Sequence, residues 1–284
     1  MAPQPVDPIT RGPLRDPRMP APQVFRYAPA SSIGHVVRQF WMPVWNFRDG
    51  EASHQRVLQY PGTLLVISPV YAIAKGPQLS LSHQELRGSS WGFGVLFQAA
   101  AGYRLHGAGL PSLVDDERPL ETVEALVNTP EFIRDIRVSM SAEPSSPAVH
   151  ARCIERAMMA LASMCGPPTE EDELINTVTD LVEATPSLTR VDQLATRVGL
   201  DERALQRLTH KRLGLGPKWL IQRRRLQEAS VRLGAGGCTV GQVAADLGYA
   251  DQAHFTRDFS RVIGMTPGGY LRLNDRPRVG RPGA

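Results

Sequence analysis

Cysteine, aromatic side chains and long apolar runs are all scarce in this chain. Its 284 residues include 3 cysteines, Cys153, Cys165 and Cys238. Their spacing fits neither a metal-ligand cluster nor a disulfide framework, and a reducing cytoplasm suits them. No run of about 18 apolar residues occurs, so no membrane span and no membrane partner are expected. Nucleophile motifs, a Walker-type loop, His-Glu-x-x-His and a dinucleotide fingerprint are missing as well. Gly92 and Gly94 of G-F-G fit relief of crowding in a strand better than a phosphate cradle. His54, His83 and His106 lack a paired His-x-His spacing, and neither a metal nor another cofactor is expected.

What the chain does have is a repeat near its C-terminus. V-D-Q-L-A-T-R-V-G-L-D-E-R-A-L-Q-R-L-T-H-K-R-L-G runs from Val191 to Gly214, and V-G-Q-V-A-A-D-L-G-Y-A-D-Q-A-H-F-T-R-D-F-S-R-V-I-G from Val240 to Gly264. Ala195 matches Ala244, Gly199 Gly248, Leu205 Phe255, Arg207 Arg257, Lys211 Arg261, Gly214 Gly264 and Pro217 Pro267, with one residue inserted in the second turn. A small Ala lets one helix cross another closely, and a Gly four residues later supplies a left-handed turn. Asp201 and Asp251 then suit the start of the next helix, where a short acceptor caps free N–H groups.

Apolar Leu194, Val198, Leu205 and Leu208 recur at helical spacing in the first copy, as do Val243, Leu247, Phe255 and Phe259 in the second. The opposite faces offer Glu202, Arg203, Gln206, Arg207 and His210, and Gln252, Ala253, His254, Thr256 and Arg257. Arg and Gln can bond guanine and adenine edges in pairs, while Ala and Thr can meet a thymine methyl. One such helix pair would fit a solvated amphipathic surface equally well. Two matched pairs favour DNA reading.

Between the copies, Pro217 to Leu233 carries Pro at a first helical position and good helix formers throughout, which predicts one continuous strut. At about 1.5 Å per residue it spans roughly 25 Å, enough to hold two reading helices near one duplex turn apart. Arg223, Arg224 and Arg225 on it are expected to face phosphate or solvent, and Lys211 and Arg212 to add phosphate contacts, with Arg261 a further DNA-binding candidate. Charge agrees: from Arg190 onward there are 17 Lys and Arg against 8 Asp and Glu, whereas the preceding residues hold 15 against 20.

This arrangement resembles the DNA-binding domain of AraC/XylS-family transcription regulators over residues 174–273, most specifically in G-Y-A-D-Q-A-H-F-T-R-D-F-S-R-V-I-G-M-T-P-G-G-Y-L-R. The resemblance implies reading positions at Arg203, Gln206 and Arg207 in the first recognition helix and at Gln252, Ala253, Thr256 and Arg257 in the second. It also implies double-stranded DNA and RNA polymerase as partners. This sequence departs from the family at Thr209, where Phe is usual, and at Asp201, where Ser is usual. The loss of an aromatic predicts a first copy that is less stable or leans on Leu208 and Leu213.

Ahead of this lies a different texture. Residues 1–23 are rich in Pro and read as a disordered leader, and 274–284 as a disordered basic tail. From Val24 short apolar runs alternate with Gly, Pro and Ser; Arg56–Tyr60, Thr63–Ser68, Leu79–Leu86 and Trp91–Phe97 read as strands, and Ser32–Pro43 as a helix or a long strand. Such strands suit a small barrel or sandwich, and 24–125 is similar to the β-rich sensor domain of one branch of the same family. That likeness implies a small-molecule effector held in the N-terminal domain. Trp41, Trp45, Tyr60, Tyr71, Trp91, Phe93 and Phe97 suit core packing first and an apolar ligand pocket second.

Residues 126–170 read as a helical connector, with helices expected at Leu120–Val127, Pro130–Met140 and Val149–Met164. A stripe of Ile154, Met158, Leu161 and Ala162 suits packing within the chain by default, or a homodimer seam, which the family likeness supports. Glu173–Pro186 then enters the reader, burying Leu174, Val178 and Leu181. The fold class expected is therefore α+β multidomain: a β-rich barrel-like N-terminal domain, a helical connector, and an all-α C-terminal domain (171–273) of two helix-turn-helix units joined by a long helix. The function expected is a non-enzymatic, effector-responsive transcription regulator reading two successive major grooves. Two alternatives stay open: a DNA-repair or other enzyme fused to such a reader, against which the scattered cysteines count, and a constitutive DNA-binding protein whose N-terminal half only dimerises.

Overall fold

The computed structural model describes residues 12–14 and 16–274. The N-terminal elements are β1 (Pro13–Leu14), β2 (Gln23–Tyr27), β3 (Val37–Asn46), β4 (Ala52–Val57), β5 (Leu64–Ile67), β6 (Ala72–Lys75), β7 (Ser82–Arg87), β8 (Ser89–Trp91), β9 (Phe93–Phe97), α1 (Ala99–His106), β10 (Glu117–Pro119), α2 (Thr129–Ala142) and α3 (Pro147–Ala160). The C-terminal elements are α4 (Glu170–Ala184), α5 (Val191–Arg197), α6 (Glu202–Leu213), α7 (Pro217–Ala235), α8 (Val240–Asp246), α9 (Gln252–Ile263) and α10 (Pro267–Asn274).

The strands form two antiparallel sheets, a larger one ordered β10-β6-β5-β9-β3-β2 with β8 also on β3, and a smaller one ordered β1-β4-β7. Strand alternation decides which side faces what. Leu65 and Ile67 of β5, Phe93, Val95 and Phe97 of β9, and Phe40 and Met42 of β3 point to one face and pack with Phe132, Ile133, Ile136 and Met140 of α2 and Ile154 and Ala157 of α3. Burying each such side chain is worth about 1.5–3 kcal/mol. Leu64, Leu96 and Tyr60 form a smaller apolar cluster with half-buried Trp41 and Val66. Trp41 lies flat across Gly94, where a Cβ would meet its indole at 2.2 Å, so the glycine does relieve crowding in a strand.

Several expectations need correction here. Part of the expected leader is ordered: Leu14 is buried and pairs with Arg56, because its side chain completes an apolar cluster beside the C-terminal half. Residues 1–11, and the tail from Asp275, lie outside the described residues. Within residues 126–170, α2 and α3 pack on the large sheet and complete its core. Leu120–Val127 forms only a 3₁₀ turn at Leu120–Thr122, and Leu58–Tyr60 carries no strand. Ser32–Pro43 resolves as a 3₁₀ turn leading into the long strand β3. Ile154 and Leu161 of the expected stripe are buried within the chain, where the default placed them.

A buried histidine ties the helical hairpin to the sheet edge. His150 of α3 stands 2.7 Å from the Pro144 carbonyl at Nε2 and 2.7 Å from the Tyr27 hydroxyl at Nδ1. A carbonyl only accepts, so Nε2 holds the proton and Nδ1 accepts from Tyr27. Burial holds this imidazole below its ordinary pKa.

Candidate nucleic-acid interface

The second helix of each unit, α6 or α9, is placed by the same local chemistry. In the first unit, Leu194 and Ala195 of α5 are buried, Gly199 turns the chain at φ 70°, and Asp201 accepts from the Ala204 N–H at 2.7 Å to start α6. In the second, Thr239 and Gln242 cap α8 reciprocally, Gly248 turns at φ 73°, and Asp251 accepts from the His254 N–H at 2.7 Å to start α9. Both α6 and α9 end on left-handed glycines, Gly214 and Gly264, and Pro217 and Pro267 open the helices that follow. The strut is α7, continuous from Pro217 to Ala235 as the sequence predicts.

The cores differ. Phe255, Phe259 and Ile263 of α9 are buried, and Tyr249, Phe255, Phe259 and Tyr270 pack in succession, tilted or edge to face, with ring centroids 5.1 to 5.8 Å apart. Behind α6 stand Leu205, Leu208, Leu213 and a fully buried Thr209, whose hydroxyl donates to the Gln206 carbonyl at 3.2 Å.

Opposite these cores, Arg203, Gln206, Arg207, His210 and Lys211 of α6 and Gln252, Ala253, Arg257 and Arg261 of α9 are exposed, with Thr256 half-buried. Among the described residues, the side chains of Arg203, Gln206, Arg207, His210, Gln252 and Arg257 have no internal hydrogen bond or ion pair, so their donors are available to an external acceptor. Lys211 is engaged instead: its ammonium sits 2.9 Å from both Glu171 carboxylate oxygens, which raises the pKa of Lys211 and lowers that of Glu171. Arg261 pairs with Asp258 at 3.0 Å, and His254 stands 3.6 Å from the same carboxylate. Asp258 also accepts from Gln222 of α7 at 2.7 Å.

The arginines expected to face phosphate or solvent do not. Arg212 is buried against Asp172. Arg223 is buried, donating to the carbonyls of Gln59 at 2.8 Å and Leu79 at 3.3 Å, and burial pushes its pKa down to about 9. Arg224 is buried and donates to Pro186 O at 3.0 Å, while Arg225 lies 3.8 Å over the Tyr249 ring. Three successive residues on a helix point about 100° apart, and α7 is surrounded by both helix-turn-helix units and the β4–β5 connection, so each guanidinium meets protein. The sequence reading also missed Arg104 and Asp172, which join α1 to this domain. Thr169 and Asp172, at capping-box spacing before an apolar helix, were the available signal.

In the N-terminal domain Phe93, Phe97, Trp91 and Tyr60 are core, Trp41 and Trp45 are half-buried and Tyr71 is exposed. His54 lies 3.7 Å from Glu85, and no group of three His, Cys, Asp or Glu converges among the described residues. Burial raises the Cys153 thiol to about 12. No described helix is long and apolar enough to cross a membrane.

Comparison with known proteins matches a helix-turn-helix domain family to residues 194–273 and a domain family of unknown function (DUF6597) to residues 25–119. None of the curated proteins matches the chain. Similar solved structures include an AraC-type DNA-binding transcriptional regulator from Chromobacterium violaceum, 24% identical, covering 37% of this chain and 95% of that one at a TM-score of 0.34. The C-terminal domain of the response regulator AraT from Geobacillus stearothermophilus is 17% identical over 40% of this chain and 97% of that one, TM-score 0.36. ToxT from Vibrio cholerae is 14% identical over 90% of this chain and 98% of that one, TM-score 0.41. Residues 194–273, with their two capped turns, thus form a helix-turn-helix domain, and residues 25–119 ahead of them belong to a second domain family.

Proposed function

We propose that this protein is an AraC-type transcription regulator that reads two successive major grooves, with Arg203, Gln206 and Arg207 of α6 at one half-site and Gln252, Ala253, Thr256 and Arg257 of α9 at the other. The observation that carries this reading is the pair of uncovered faces: six side chains on them able to reach base edges or phosphates have no internal partner among the described residues, while Arg212, Arg223, Arg224 and Arg261 nearby are committed to protein partners. Free guanidinium and amide groups on two helices with matched caps suit bidentate contacts to guanine and adenine. His210 and Arg261 lie at the edges of these faces and suit phosphate contacts. Lys211 joins them only by leaving Glu171. The N-terminal β-rich domain is the seat of a small-molecule effector in this reading.

Selection of binding sites from random DNA with the full chain, followed by footprinting of the preferred site, tests the reading. Two protected major-groove patches about one helical turn apart support it. A single patch limits reading to one helix, and no enrichment removes sequence-specific reading by the free protein.

A further inference from the structure

The first reading helix is held from behind by the N-terminal domain. Ala99 and Ala100 of α1 share a core with Leu205, Leu208 and Leu213 of α6 and with Ile175 and Val178 of α4. At the C-terminal end of α6, the Arg212 guanidinium contacts Asp172, reaches Glu171 at 3.2 Å and the Ala100 carbonyl at 3.4 Å, and lies 4.6 Å over the Tyr103 ring. Asp172 also accepts from Arg104 of α1 at 2.7 and 3.2 Å. Arg104 donates onward to the carbonyls of Met164, Gly166 and Pro167 at 2.7 to 2.9 Å, in the segment joining the two domains. A second contact is independent of charge. A Cβ on Gly214, the cap of α6, would stand 2.6 Å from Val114 and 3.1 Å from the Pro111 Cα, so the helix end sits directly on the turn that follows α1.

None of these contacts covers the reading face. Arg203, Gln206 and Arg207 stay exposed while the back of their helix is docked, so the contact is compatible with DNA reading and fixes where the reading side chains stand. Base-edge hydrogen bonds tolerate only a few tenths of an ångström, so a small shift of the helix weakens them. Asp172 and Arg212 are both nearly fully buried, and buried ions held by one another keep their geometry because either left alone would be unpaired away from water.

We propose that Arg104, acting through Asp172 and Arg212, is a positioning residue for the first reading helix, so that the N-terminal domain governs recognition of the first half-site and leaves the second to α9. This rests on the two-groove reading above. It also gives an effector in the N-terminal domain a physical route to one half-site: any displacement of α1, which continues directly from core strand β9, moves the anchor of α6.

The test uses full-length protein and two duplexes, the selected site and the same site with the half-site lost to Arg207→Ala scrambled. Arg104→Gln should bind the intact site about tenfold more weakly, within the usual range of coupling between sites, and bind the scrambled site as wild type does. Tyr103→Leu, which keeps both ion pairs and removes only the ring beneath Arg212, should give a smaller loss with the same half-site dependence, and it carries the test if Arg104→Gln does not fold. Equal losses on both duplexes, no loss, or tighter binding would overturn the proposal. If wild type binds the two duplexes equally, the two-groove reading itself fails and this proposal with it; a wild-type preference that both variants retain rejects the positioning role alone.

Discussion

Phe255 and Phe259 fill the second helix-turn-helix unit at the positions where the first has Leu205 and Thr209, yet both units close the same turn, with Ala, a left-handed Gly and an Asp cap. The turn is local chemistry and repeats faithfully. Core filling is a tertiary matter and does not repeat: the second unit packs Tyr249, Phe255, Phe259 and Tyr270 edge to face in a row, whereas the first borrows Ala99, Ala100 and the Pro111–Val114 turn from the neighbouring domain. Leu14, Leu58 and Leu81 reach the core that includes the second unit as well, alongside Leu226, Ala229 and Leu233 of α7. The lesson is that a missing aromatic need not weaken a unit when another domain supplies the apolar surface.

Core truncation should break the comparison most visibly. Phe259→Ala empties the middle of an aromatic row and is expected to cost about 3–5 kcal/mol in chemical denaturation, abolishing protection of the second half-site. A loss below about 1 kcal/mol would mean that the row is not the core of that unit. The two cap glycines sharpen the contrast. Both have left-handed backbones, so Ala at either costs about 1–2 kcal/mol, but Gly264 faces open space and Gly214 faces Val114 and Pro111. Gly214→Ala should therefore cost about 1–3 kcal/mol more than Gly264→Ala through overpacking. Equal costs would show that the α6 cap does not bear on the N-terminal domain.

Arg207→Ala and Arg257→Ala should each cost about 1–3 kcal/mol of specific DNA affinity with melting unchanged, and each should erase protection of a different half-site in a footprint. Erasure of the same half-site by both would contradict assignment of one helix to each. The smallest effect is expected where the ion pair is exposed: Glu171→Gln frees Lys211 and keeps an amide oxygen for Arg212, whose pair with Asp172 remains, so stability should move by about 1 kcal/mol or less. A tightening of DNA binding in high-salt titrations of this variant would show that Glu171 competes with phosphate for Lys211; unchanged affinity would place Lys211 outside the interface.

Much of the reader was legible because its signals are local. Spacing of Ala195, Gly199 and Asp201 against Ala244, Gly248 and Asp251 reports backbone conformation and caps, which short sequence stretches encode. Arg223 and Arg224 were misread because a helix's polar residues do not announce what lies across from them: here the Gln59 and Leu79 carbonyls and the Pro186 carbonyl take their donors. α1 was missed for a related reason, since A-A-A-G-Y-R-L-H has weak helical patterning and gains its place by packing between the sheet and α6. β6, with only Ala72 to Lys75, is set by its neighbours β5 and β10 and carries no alternation long enough to read. In the leader, Pro-rich composition suggested disorder, but Pro13 and Leu14 pair with β4 and the Leu14 side chain is buried in an apolar cluster.

Methylation protection of guanine N7 on the site selected by the full-length chain addresses the central claim most directly, because it reports major-groove occupancy base by base. The account predicts two protected clusters about one helical turn apart, one lost in Arg207→Ala and the other in Arg257→Ala. A single cluster, lost only in Arg257→Ala, would contradict it and leave α6 as a domain-docking helix without a reading role.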